Sequence, residues 1–576
     1  MPRTKSVLSI IPLIIAMLAP ANADDNKLSP ELRKQAGSNA VQVIIQYKSA
    51  VTASDKDKVA KHGGKANSDI GLIKSLQVTM PANQIADLSN DPNVKYISPD
   101  RPIQGRLTNG GPAVNAPYAW SLGFDGSGVG VAIIDSGIAG KNAVSVKKSD
   151  LNKWGTASSR IVYSQSWVND GFGAYDGYGH GTHVAGIVAG NGYNSSGSST
   201  VPAFKGIAPN VQLVNLRVLD SQGTGTESSV IAAIQTAIQL KSKYNIRVVN
   251  LSLGRPVYES YQLDPLCQAV EAAYRAGIVV VVAAGNEGRN NSVGNDGYGT
   301  INSPANDPYV ITVGAMKSMS TPARADDLIA TYSSKGPTTI DHIAKPDLVA
   351  PGNRVVAFLG GSSSTLASSY SGNFVSASGG ATAPYFALSG TSMAAPVVSG
   401  AAALLVQQNP KMTPDQVKAR LMKTAYKTFP QYSTYTDTAT GLTYNSQYDL
   451  FTVGAGYLDI QAALANADLS TGAAKSPVVQ YDAATQSVYF VNDSFAVWGG
   501  SGNWSTFAVW GGNAFVGSNF AVWGGSSNWS SFAVWGGSAP WGSNTTNGFF
   551  AVWGGSAVGS DSTTADALNT LARGEN

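Results

Sequence analysis

A serine stands among small residues in LSGTSMAAPVVSGAAALL, where an apolar run gives way to a segment that reads as the start of a helix. A serine hydroxyl is a weak nucleophile until a neighbouring base takes its proton, so Ser392 does chemistry only if the chain supplies that base. The chain has 4 histidines. His62 belongs to an N-terminal stretch and His342 to the polar run TTIDHIAKPD, which leaves His180 and His183 in DGYGHGTHVAG. The glycines around His180 let a side chain at a helix start face an open cleft. His183, further along the same helix, reads as a packing residue. A basic imidazole needs a carboxylate that fixes its tautomer and stabilises the imidazolium. Asp135, which ends the apolar strand in GVGVAIIDSGIAG, lies where open α/β sheets form ligand crevices. Asn286 closes another apolar strand, GIVVVVAAGN. Its amide and the Ser392 backbone N–H are the donors that acyl transfer through a tetrahedral intermediate requires. Taken singly, each residue has an ordinary reading as a turn, a cap or a core group. Together they form a set.

The elements that must position this set are legible as apolar runs. GVGVAIID, VQLVNLRVLD, IRVVNLSLG, GIVVVVAAGN and YVITVGA are near-continuous apolar strands, alternating with helical runs such as SSVIAAIQTAIQLKSKY and LCQAVEAAYRAG. That alternation predicts an α/β fold, a doubly wound and mostly parallel sheet buried on both faces. A later helix begins at MTPDQVKARLMKTA, with Thr413 as N-cap, Pro414 as first helical residue and Gln416 completing a capping box. Ahead of this domain, VQVIIQY, SLQVTM and VKYISPD read as strands and SDKDKVAKHG and NQIADLSND as helices, a small α+β module.

Composition narrows the classes. The net charge of +3 over 576 residues gives no support for nucleic-acid binding. A single cysteine, Cys267, excludes an intramolecular disulfide framework and reads as a small buried residue. Arg3 and Lys5 precede an apolar run too short to span a bilayer, and the small residues of Ala21–Ala23 follow it, so residues 1–23 read as a signal peptide. The remaining divisions are 24–108, 109–467 and 468–576. The last holds five copies of FAVWGG, starting at Phe495, Phe507, Phe520, Phe532 and Phe550, and reads as a β-rich repeat tail.

AIIDSG, GHGTHVAG, AAGNEG and GTSMAAP together resemble the subtilisin family of serine proteases, over about residues 113 to 467. The resemblance implies Ser392 as nucleophile, His180 as general base and acid, Asp135 as its orienting carboxylate and Asn286 in the oxyanion hole. It implies that Ser252, Leu253 and Gly254 of NLSLG line the cleft beside an extended substrate, and that Asn302 stands at the base of the primary specificity pocket. Residues 24–108 then correspond to an inhibitory propeptide, cut away between Arg101 and Ala113. No cofactor is required for this chemistry. Family members often bind structural calcium, so the resemblance leaves calcium open without assigning it: no carboxylate lies between Gly190 and Pro209, and Asp150 in KKSDLNK, the one match to a family ligand position, reads as an exposed, solvated side chain, so no metal residue is assigned.

The expected function is a secreted serine endopeptidase, self-processed from a zymogen, whose partners are protein or peptide substrates and its own propeptide. Three other readings compete: a catalytically silent relative that binds, an esterase using the same acyl-enzyme, and a surface or matrix binding protein whose tail carries the main role through glycan or cell-surface contact. The ordinary reading of the tail is that its aromatic side chains fill their own array.

Overall fold

The computed structural model describes residues 27–33, 37–71, 74–99, 110–138, 149–196, 203–292, 294–319, 321–360, 363–375, 385–437, 440–482, 487–491 and 570–575. The signal peptide, most of the window for propeptide cleavage and all five FAVWGG copies lie outside these residues. The chain divides into two compact units, Met1–Gly105 and Arg106–Asn576.

The first unit is an antiparallel sheet of β1 (Ala40–Tyr47), β2 (Lys65–Ile70), β3 (Ser75–Pro81) and β4 (Val94–Pro99), in the order β2-β3-β1-β4. Helices α1 (Ala53–Lys61) and α2 (Ile85–Ser89) complete it. Val43, Ile45, Leu76 and Val78 alternate inward from the strands and pack with Val59 and Leu88 of the helices. The sequence KANSDI of β2 carries no apolar alternation. It is a strand because β3 offers it a free edge, and the sequence reading missed it for that reason.

In the second unit, β5 (Gly130–Asp135), β6 (Ile161–Ser166), β7 (Gln212–Arg217), β8 (Ile246–Leu251), β9 (Val279–Ala283), β10 (Ile311–Lys317), β11 (Leu328–Ile329) and β12 (Leu348–Pro351) form one sheet. Its order is β11-β10-β9-β8-β5-β7-β6, with β12 beside β10. Every pairing is parallel except β10 with β11. Successive residues serve opposite faces. Val131 and Ile133 join the core on one side, with Val248 and Val281; Ala132 and Ile134 join the other, with Val249 and Val282. Such strands must be apolar throughout, which is why they read as unbroken runs.

On the first face lie α3 (His180–Ala189) and α6 (Thr391–Gln408), packed on each other. The opposite face holds α4 (Glu227–Tyr244) and α5 (Pro265–Arg275). Helix α6 is buried from Met393 to Val406, and its small residues allow that depth. A Cβ on Gly400 would lie 2.5 Å from Ile207 Cβ, so a methyl group there has no room. After it, α7 (Pro414–Thr424) starts with the expected capping box at Thr413 and Gln416. The strand order reverses direction at β5, with β7 on one side and β8 on the other, so the carboxyl end of β5 is the sheet's switch point. Asp135 is its last residue.

Candidate active site

Asp135 is fully buried, and His180 Nδ1 lies 2.8 Å from its Oδ1. A carboxylate only accepts, so Nδ1 carries the proton of the neutral ring and Nε2 keeps a lone pair. The approach of strand end and helix start depends on Gly181, where a Cβ would lie 2.2 Å from Gly137 O and 3.1 Å from Asp135 Oδ1. Burial opposes protonation of His180, but the Asp135 charge and hydrogen bond, with Asp176 beyond, outweigh it and hold the imidazole above its ordinary 6.5. His183 is a packing residue, its Nε2 within 3.1 Å of Val355 O and 2.9 Å of Phe386 O. Burial pushes it down to about 3.

Asp176, which the sequence reading passed over, organises this corner. It is buried, and its carboxylate accepts from Ser136 Oγ (2.9 Å), Tyr178 N (3.1 Å), Gly179 N (2.6 Å), Thr182 N (2.8 Å) and Thr182 Oγ1 (2.7 Å). It thus caps the free N–H groups at the start of α3 and ties them to the residue after Asp135. Burial pushes this carboxyl up, against all of those hydrogen bonds. The signal available in sequence was an acid four residues before His180.

Ser392 is the second residue of α6 and partly exposed. Its Oγ donates to Ser252 O at 3.1 Å, and Ser252 Oγ donates back to Ser392 O at 2.8 Å. The Asn286 carboxamide oxygen accepts from Thr391 N (2.9 Å) and from Thr391 Oγ1 (3.2 Å), which leaves Nδ2 as the donor end. Gly390 stands at φ +141, and a Cβ there would lie 3.3 Å from Asn286 Nδ2 and 3.7 Å from Ser392 N. The Asn286 carboxamide, through Nδ2 at 3.3 Å and Oδ1 at 3.5 Å, and Ser392 N thus lie around the position that glycine leaves empty. Among the described residues, Asp135 pairs with His180, and Asn286 with the residue preceding Ser392.

The residues from 126 to 456 match the model of the Subtilase family. The chain belongs to the subtilase family. This subtilase is 36% identical over 341 residues to Serine protease AprX of Bacillus subtilis (strain 168), covering 58% of this chain and 70% of that protein. It is 33% identical over 395 residues to Subtilisin E of the same strain, covering 67% of this chain and 86% of that protein. Alkaline protease of Alkalihalobacillus alcalophilus is 31% identical over 396 residues, 68% of this chain and 85% of that protein. Family membership makes the chain a subtilisin-type serine protease.

Around the subtilase site, Ser252 is buried just past β8, Leu253 is half-buried and Gly254 is exposed. Asn302 lies beside Gly254, whose Cβ would stand 3.2 Å from Asn302 Cβ. The Asn302 Nδ2 donates to the Glu287 carboxylate at 3.3 Å, and Ser334 Oγ donates to it at 3.0 Å. Burial pushes that carboxyl up. Arg255 ties the following loop to Glu227, Glu259 and Asp264.

Asp150 corrects the sequence reading. It is buried, with Oδ2 accepting from Tyr385 OH at 2.6 Å and Oδ1 from Asn194 N and Nδ2 at 2.9 Å each. The buried Arg160 guanidinium lies alongside, donating to the carbonyls of Asp150, Asn152, Ala189 and Val211. Protein donors thus reach both carboxylate oxygens. Among the described residues no group of three or more His, Cys, Asp or Glu side chains could hold a metal ion, and no helix is long and apolar enough to cross a membrane.

Proposed function

We propose that the chain is a secreted serine endopeptidase that hydrolyses peptide bonds through an acyl-enzyme. The observation that carries this reading is the buried pairing of His180 with Asp135 at the carboxyl end of β5, in a chain whose Asn286 is bonded to the residue beside Ser392. In the reaction, Ser392 Oγ turns from Ser252 O toward His180, attacks the substrate carbonyl carbon and gives its proton to Nε2. Asp135 holds the ring and stabilises the imidazolium. The developing oxyanion takes hydrogen bonds from Asn286 Nδ2 and Ser392 N, at the positive end of α6. Collapse of the tetrahedral adduct expels the amine, which receives the proton from His180. Water then repeats the sequence on the ester. Holding the imidazole above its ordinary value makes it a stronger base, available once the pH exceeds that raised value.

Ser252, Leu253 and Gly254 pair with the substrate backbone as an added strand would, and Asn302 faces the primary side-chain pocket. Residues 24–108 act as an inhibitory propeptide removed by the enzyme itself, residues 1–23 direct secretion, and the catalytic reading assigns no metal.

The test is incubation of the purified precursor, wild type beside Ser392→Ala, followed by intact mass and casein digestion. Loss of the N-terminal unit and casein cleavage in the wild type alone support the reading. A folded wild type that neither matures nor cleaves casein or peptide esters overturns it.

A further inference from the structure

The segment Thr570–Glu575 is separated from Val491 by the whole repeat region, yet it is built into the unit that carries Ser392. Leu571 O accepts from Ser389 N at 2.8 Å, three residues before Ser392. Asn353 grips the Glu575 backbone in both directions, its Nδ2 donating to Glu575 O and its Oδ1 accepting from Glu575 N, each at 2.8 Å. Asn373 Nδ2 donates to Ala572 O. The Glu575 residue is 1% exposed, and its Oε1 accepts from Thr331 N at 2.8 Å, Thr331 Oγ1 at 2.5 Å and Arg289 Nη2 at 3.0 Å. Gly574 turns the segment at φ +61, and a Cβ there would meet Ser389 Oγ at 2.2 Å.

These are the parts of a peptide-recognition site. Amide hydrogen bonds hold the backbone of the segment, a half-buried cation and a buried hydroxyl take its carboxylate, and a tight wall admits only glycine one position earlier. Without the segment, Thr331 N, Asn353 Nδ2 and Ser389 N lose these partners and must turn to water. The cradle's own members are fixed from behind. Arg289 Nε donates to Thr331 Oγ1 at 2.8 Å and its guanidinium lies 4.7 Å from the Tyr444 ring centre, while Ser389 Oγ accepts from Arg354 N at 2.9 Å.

We propose that Thr570–Glu575 is a docking peptide, and that Arg289, Thr331, Asn353, Asn373 and Ser389 form its receptor on the protease unit. The occupant is this chain's own Leu-Ala-Arg-Gly-Glu sequence. Docking holds the far end of the repeat region on the enzyme, so a chain cut anywhere within residues 492–569 keeps its last piece by non-covalent contact. It also braces Ser389 and Arg289, each three residues from a group assigned above to catalysis, Ser392 and Asn286.

The test uses the full chain carrying Ser392→Ala, so that no self-cleavage intervenes, with a cleavage sequence for an unrelated protease placed between residues 560 and 569. After cutting, gel filtration and mass spectrometry are expected to find the Thr570-containing piece with the body of the protein, and to find it released when Asn353→Ala is added. Independent elution of that piece from an otherwise folded protein overturns the proposal. A second arm titrates a labelled synthetic peptide of residues 569–576 into a chain truncated after residue 569. Saturable binding that raises the unfolding midpoint is expected, with a Glu575→Gln peptide binding about 10- to 100-fold more weakly, the range for losing a buried charged hydrogen bond. Equal binding of both peptides, or none to a folded truncated chain, counts against the receptor. Neither arm needs peptidase activity, so the docking proposal and the protease reading fail separately.

Discussion

The Asn286 carboxamide oxygen accepts the Thr391 backbone N–H at 2.9 Å, so the residue beside Ser392 sets the direction in which the Asn286 amide donates. The single proton of Thr391 Oγ1 is shared between Gly285 O at 3.1 Å and Asn286 Oδ1 at 3.2 Å, and the oxygen accepts from Gly285 N at 3.1 Å, locking the segment after β9 to the start of α6. Reversal of the amide would turn an oxygen toward the oxyanion.

Thr391→Val keeps shape and the backbone N–H on Asn286 but removes the bonds of the hydroxyl to Gly285 and Asn286. Turnover is expected to fall about tenfold with KM little changed, less than the 100- to 1,000-fold typical of deleting an oxyanion donor outright, which is the expectation for Asn286→Leu. Steady-state kinetics on a chromogenic peptide decide it. A KM effect alone would place Thr391 outside the transition-state machinery.

Asp176 raises the His180 value together with Asp135. In Asp176→Asn that charge is gone, so the acid limb of kcat/KM is expected to move to lower pH, and turnover to drop as the start of α3 loses its cap. Since His180 is held above 6.5, its protonation stabilises the native state fully below that value, and the contribution is lost as pH rises through the folded value. Asp176→Asn should narrow that window. Rates and unfolding midpoints measured across pH test both, and an unmoved acid limb would make Asp176 a purely structural residue.

Gly400→Ala places a methyl group against Ile207, and overpacking of this kind destabilises by about 1–3 kcal/mol. Urea unfolding should show the loss, and Ile207→Ala in the same chain, which removes the Cγ2 and Cγ1 atoms lying 2.8 and 3.4 Å from the added methyl position, should recover part of it. Additive losses in the double variant would refute the proposed clash.

The thiol of Cys267 is buried among Ser303 and Asn306, and burial pushes its ionisation upward. Native protein should therefore resist maleimide over hours and react at once in denaturant. Rapid labelling of the folded chain would contradict this.

Sequence alone carried the parts of the molecule whose physics is local. Unbroken apolar runs announced strands covered on both faces, Thr413 with Gln416 announced a helix start, and the small residues after Ser392 announced a helix packed in the core. Asp135, His180, Ser392 and Asn286 stood out because scarce or unexpected residue types sat at the ends of those elements. The polar strand Lys65–Ile70 and the hairpin Tyr432–Thr436 with Thr443–Gln447 were not legible, since each is held by its partner's edge rather than by its own pattern. What only the tertiary structure decided was pairing across distance. Asp150 looks solvated among lysines, yet Tyr385 and Asn194 arrive from remote segments and bury it. Asp176 looks like a turn residue until Ser136 and Thr182 converge on it. Glu575 is a surface residue by composition, and Arg289, Thr331 and Asn353 make it one of the best-buried acids in its unit. A sequence fixes what each side chain can donate or accept. Only folding brings the complementary group within 3 Å, and that distance sets whether a charge is solvated, buried or put to use.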